Sequence, residues 1–161
     1  MPPAEASGPV RARAETVRKA GGAPLIPSPC HCLAVRQAAR HMTQFYDRFL
    51  AVSGLRTTQF SVLAVLDRTG ALAVNELAVH LVMDRTATGR TLRPLARDGL
   101  VEIGPGRDGR TRSLSLTPAG RAKLEATRAL WRRAQAAFEA QYGAEEADTL
   151  RLSLARVVGR A

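Results

Sequence analysis

The chain has 161 residues, the size of one ordinary domain with extensions rather than two independent ones. Hydrophobic residues make up 45% but aromatics only 4%, with Ala, Leu and Val dominating the apolar set, which favours helices over a sandwich or barrel. A net charge of +10 makes a polyanion the leading partner, and no apolar run approaches the roughly 18 to 20 residues of a membrane span. The expected location is the cytoplasm, without a membrane partner: the first 29 residues lack the apolar core of a signal peptide. Cys30 and Cys32 stand too close together to build a disulfide framework.

Residues 1–29 read as a flexible tail, because Pro2, Pro3, Pro9, Pro24 and Pro27 accompany a Gly21-Gly22 pair and little large apolar surface. From residue 30 to 161 the pattern is that of a folded body. Val35, Ala38, Ala39, Met42, Phe45, Tyr46, Phe49 and Leu50 fall on one stripe, opposite Arg36, Arg40, Gln44 and Arg48, which predicts a long helix over about 33–52. Ser53-Gly54 ends it, and a second helix begins near Thr57, the expected N-cap, and stops at Thr69-Gly70. Val74 to Leu81 is a short third helix. Val82-Met83 makes a tight turn, and Asp84 caps a fourth helix reaching about Asp98, the spacing of a helix-turn-helix.

Gly99 terminates that helix, and Leu100-Val101-Glu102-Ile103 alternates as a strand does. A turn-rich basic loop, Gly104 to Arg110, separates it from Ser113-Leu114-Ser115-Leu116, giving a β-hairpin wing. Thr117-Pro118 opens a long Ala-rich helix to about Gln141, and after Gly143 a last helix covers about 144–158. The expected fold is mainly α with a small β-hairpin wing: a winged helix-turn-helix over about 55–117, flanked by long helices over about 33–52 and 118–158.

On the fourth helix Thr88, Leu92 and Leu95 share the core side, whereas Thr86, Gly89, Arg90, Arg93 and Arg97 take the opposite face. Arg85, Thr86 and Arg90 lie near the end that reaches base edges and are assigned to direct readout; Arg93 and Arg97 are assigned to phosphate. From Asp84 to Lys123 nine basic residues face four acidic ones, so half the net charge sits in a quarter of the chain. A basic helix face alone is usually just solvated, but here it follows a helix-turn-helix and precedes a basic wing. Arg107 and Arg110 are candidates for the adjacent minor groove. Gly89 and Pro94 are unfavourable inside a helix and predict either a bend or an earlier end.

The order of elements and several stretches resemble the MarR family of bacterial transcription regulators over about 30–158. The stretches are Gly54-Leu55-Arg56-Thr57-Thr58-Gln59-Phe60, Met83-Asp84-Arg85-Thr86, Asp98-Gly99-Leu100-Val101, Asp108-Gly109-Arg110-Thr111-Arg112 and Leu116-Thr117-Pro118-Ala119-Gly120. The resemblance implies a two-fold homodimer interlocked through the terminal helices, with two winged lobes on successive major grooves of pseudo-palindromic double-stranded DNA. It places Asp108, Arg110 and Arg112 in an Asp-x-Arg wing motif, with Asp108 orienting an arginine. It also implies a small-molecule effector, favourably an aromatic acid, with Arg40, His41, Phe45, Tyr46, Phe60 and Trp131 as candidates. Core packing is the simpler account of each aromatic taken singly.

Cys30 and Cys32 are redox candidates, since a thiolate beside His31 near a helix start is reactive and could link subunits. Cys30-His31-Cys32 offers three cramped ligands where zinc needs about four, so no metal or other cofactor is expected. The main alternatives to a repressor with an effector are a thiol-based regulator and an RNA-associated winged helix. An enzyme is not expected, because the sequence has no phosphate-binding glycine loop, nucleophile motif or paired-carboxylate site.

Overall fold

The computed structural model describes residues 29–106 and 111–159. Residues 1–28 of the expected tail, and Arg107, Asp108, Gly109 and Arg110 of the wing, lie outside the described residues. The chain divides into two compact units, residues 1–42 and 43–161. In the first unit the described part begins helix α1 (His31–Leu50), whose side chains as far as His41 are exposed.

In the second unit the latter half of α1 buries Tyr46 and Leu50, and a single 3-10 turn, Ala51–Ser53, ends at Gly54 with φ 74°. Helix α2 (Thr57–Thr69) starts one residue earlier than expected, since Arg56, in an extended conformation, holds the cap position and Thr57 is already helical. Asp47 of α1 is the physical reason. Its Oδ1 accepts from both the backbone N–H and the hydroxyl of Thr57, each at 2.7 Å, satisfying an orphan donor of the first turn from outside the helix. The N–H of Arg56 donates to Gln59 Oε1 at 2.9 Å, which completes that end.

Strand β1 (Leu72–Ala73) precedes α3 (Val74–Leu81), which leads into α4 (Arg85–Arg97). Strands β2 (Val101–Pro105) and β3 (Arg112–Leu116) form the antiparallel wing, with Val101 opposite Leu116 and Pro105 opposite Arg112. The sheet has three strands rather than two, in the order β1-β3-β2, with Leu72 opposite Leu114. Two residues carry no alternation to read, so β1 exists only because β3 offers it a ladder.

Helix α5 (Pro118–Tyr142) starts at Thr117, whose Oγ1 accepts from the N–H of Gly120 at 2.9 Å and donates to the carbonyl of Gly99 at 2.6 Å. One hydroxyl thus caps α5 and pins it to the end of α4. Gly120 packs so closely that a Cβ there would run into the Leu100 carbonyl oxygen. After Gly143, at φ 99°, the chain forms α6 (Ala144–Val157). The core runs through Leu50, Val62, Leu63, Leu77, Leu95, Leu114 and Leu124, all with essentially no exposure. In contrast, α6 buries none of its residues, and Leu152, Leu154 and Val157 are 58%, 41% and 74% exposed. Among the described residues no single helix is long and apolar enough to cross a membrane.

Candidate nucleic-acid interface

The turn between α3 and α4 depends on Val82, whose φ of 52° and ψ of 46° are left-handed. The next N–H, of Met83, returns to the carbonyl of Ala78 at 2.9 Å, so the chain reverses within two residues. Asp84 then caps α4, its Oδ1 accepting from the N–H of Ala87 at 2.7 Å. A carboxylate here also complements the positive end of the helix dipole. Thr88 is fully buried, and its hydroxyl donates to the Asp84 carbonyl at 2.8 Å, which removes the cost of burying it.

Thr88, Leu92 and Leu95 face the core, while Arg85, Thr86, Arg90, Arg93 and Arg97 are exposed, as the periodicity requires. Thr86, Arg90, Arg93 and Arg97 recur at intervals of four, three and four residues, so one face carries three guanidinium groups. Helix α4 continues through Pro94 rather than ending before it. Pro94 has no N–H to offer Arg90, but it stands only three residues from the end of the helix, where its carbonyl still accepts from Asp98 at 2.9 Å. Gly89 has open space around its missing Cβ, so packing does not demand glycine there. Gly99, at φ 67°, closes the helix, and the N–H of Leu100 reaches the Leu95 carbonyl at 2.8 Å. Arg97 is tethered by an exposed ion pair to Asp98 at 3.0 Å, a contact weak enough to exchange for another anion.

In the wing, Arg112 is exposed at the start of β3, and the N–H of Gly106 donates to the Thr111 carbonyl at 2.7 Å across the base of the loop. The expected Asp108 ion pair and the Arg107 and Arg110 contacts lie outside the described residues.

The effector candidates fall into different places. Phe60 is buried and stacks on half-buried Trp131, with ring centroids 6.1 Å apart and planes 17° apart. Phe45 meets Tyr46, Phe49 and Phe138 in a second aromatic group. The Tyr46 hydroxyl donates to Gln135, and burial, followed by the charge of Glu139, raises its pKa. Arg40 and His41 are exposed in the N-terminal unit, as are Cys30 and Cys32 at the start of α1. Among the described residues no group of three or more His, Cys, Asp or Glu side chains is arranged to hold a metal ion.

Two carboxylates escaped the sequence reading. Asp47 holds the start of α2, and Asp67 on α2 accepts from Arg121 and, at 2.7 Å, from Arg128 on α5. A lone aspartate on a helix reads as a solvated charge, and nothing local announces a partner more than 50 residues away.

A model of the MarR family matches residues 53–111, which takes in the helix-turn-helix and β2 and ends just before β3. The transcriptional regulator MosR of M. tuberculosis, solved in complex with DNA, is 39% identical with a TM-score of 0.73, covering 81% of this chain and 94% of that one. The chain belongs to the MarR family. A probable transcriptional regulator from Pseudomonas aeruginosa is 32% identical with a TM-score of 0.72, covering 80% of this chain and 97% of that one. MarR of E. coli with operator DNA, at 23% identity and a TM-score of 0.70 over 78% of this chain and 91% of that one, shares the fold. A comparison with curated proteins gives no match. The family's winged helix-turn-helix accounts for the order of α2, α3, α4 and the wing in this chain.

Proposed function

We propose that this MarR-family regulator is a homodimeric repressor that binds a pseudo-palindromic operator in double-stranded DNA and leaves it when a small aromatic acid binds. The observation that carries the reading is α4, which has a buried apolar side, a capped N-terminus, and Arg85, Thr86, Arg90, Arg93 and Arg97 exposed. A helix of that kind, second in a helix-turn-helix, presents its first two turns to base edges in the major groove and its later residues to phosphate. Relatives described in complex with DNA support it. Leu152, Leu154 and Val157, exposed together on α6, support a dimer, because large apolar side chains grouped on one helix gain by being covered by a second copy. Trp131, half-buried on Phe60, offers an aromatic surface for the effector.

A gel shift against duplex DNA from upstream of its own gene, with excess non-specific competitor, tests the first part. Specific binding should survive competitor at a ratio of roughly a thousandfold or more. Equal competition by random duplex, or by single-stranded RNA, would reject it. A panel of hydroxybenzoates added to the preformed complex tests release, and transcription in vitro from the bound promoter distinguishes repression from activation.

A further inference from the structure

Helices α2 and α5 pack against each other through a stripe that includes Leu63, Leu66, Leu124 and Thr127, all essentially inaccessible. A row of charges lies beside this stripe. The Asp67 carboxylate, with a side chain only 18% exposed, accepts from Arg121 through Oδ1 and from Arg128 through Oδ2. Arg128 in turn donates through Nε to Glu125 at 2.7 Å, so its guanidinium is held on two sides. Arg121 and Arg128 are seven residues apart on α5, which places them on the same face two turns, or about 10.5 Å, apart. Asp67 sits between them.

A carboxylate clamped from both directions resists sliding as well as rotation. Moving α5 along its axis in either direction shortens one arm and breaks the other, whereas a single ion pair could follow the motion. Apolar packing alone is less directional, since ridges and grooves repeat every turn. The clamp lies in the first half of the helix that leaves the wing.

We propose that Asp67 is a positioning residue that fixes α5 against the winged lobe and so sets the half-site spacing this regulator accepts on DNA. The inference rests on the dimer reading above, in which α5 carries each lobe. Inserting one base pair between half-sites moves them about 3.4 Å apart and rotates them about 34° to 36° relative to each other, so tolerance of such insertions reports how firmly the lobe is held.

The test measures binding of the full chain and of D67N to operator duplexes with zero, one or two base pairs added or removed at the centre, and to an isolated half-site. Sedimentation and circular dichroism show that each variant is a folded dimer. Wild-type protein should lose at least tenfold in affinity per inserted base pair. D67N should bind the isolated half-site as wild type does but lose less than threefold per base pair. R128Q should flatten the profile similarly, and the double variant should go no further, as for two groups in one network. A D67N profile as steep as wild type, or an equal loss on every duplex including the half-site, overturns the proposal. Failure of wild-type protein to prefer any two-fold duplex overturns the dimer reading and the spacing role with it.

Discussion

Val82 carries a conformational cost that its surroundings do not repay. A β-branched side chain at φ 52° is strained by about 1 to 2 kcal/mol, and at 66% exposure it buries little surface in return. Replacing Val82 with Gly should raise stability by about 1 kcal/mol in urea unfolding, the relief of strain exceeding the backbone entropy that glycine adds. An unchanged or lower midpoint would show that the turn is not the source of strain. Arg90, in the second turn of α4, should behave differently from Arg93. Removing Arg90 should weaken operator binding roughly tenfold to a hundredfold and relax preference at one base pair. Removing Arg93 should lower affinity evenly across sequences and reduce the slope of log K against log salt by about one. Fluorescence anisotropy across salt and operator variants separates these outcomes.

Among the elements, α2 depends on a residue outside it. Asp47 is partly desolvated, which raises its pKa, but bonds from the Thr57 N–H and hydroxyl, with Arg56 nearby, outweigh that and leave the pKa lowered. A lowered folded-state pKa means stability that is present above the unfolded value of about 4 and lost as pH falls through the folded value. Asp47→Asn should therefore cost about 1 to 2 kcal/mol at pH 7, and the gap from wild type should begin to narrow as pH drops below about 4 and close only as it falls through the lower folded value. Urea titrations at pH 7, 5 and 3.5 check this, and a gap that stays constant would remove the carboxylate from the account. The start of α5 uses the same economy: the Thr117 hydroxyl bonds to Gly99 and Gly120 at once, joining the end of α4, the wing and the long helix at one atom.

At the scale of the whole molecule, the core and α6 differ sharply. Leu63, Leu77 and Leu95 have no exposure in one chain, whereas Leu152 and Leu154 stand 58% and 41% open. If a second copy covers them, Leu154→Glu should shift sedimentation from dimer to monomer at micromolar concentration and abolish tight operator binding while leaving helix content intact. The wild-type melting temperature should also rise with protein concentration, as it does when folding and association are linked. A dimeric Leu154→Glu variant would place the interface elsewhere, and a concentration-independent melt would reject the link between folding and association.

The sequence by itself determined the number and order of the helices, the capping of α4 by Asp84, the stop at Gly99, the Thr117-Pro118 start of α5 and the basic face of α4. Each of these follows from residues within a few positions of one another, where periodicity, capping and backbone preference act. Only the tertiary structure decided the start of α2, the third strand and the Asp67 clamp. Asp47 meets Thr57 ten residues on, Leu72 pairs with Leu114, and Asp67 reaches Arg121 and Arg128. Such pairings depend on which surfaces the packed helices bring together, and a charge that is buried by folding looks the same in sequence as one left in water.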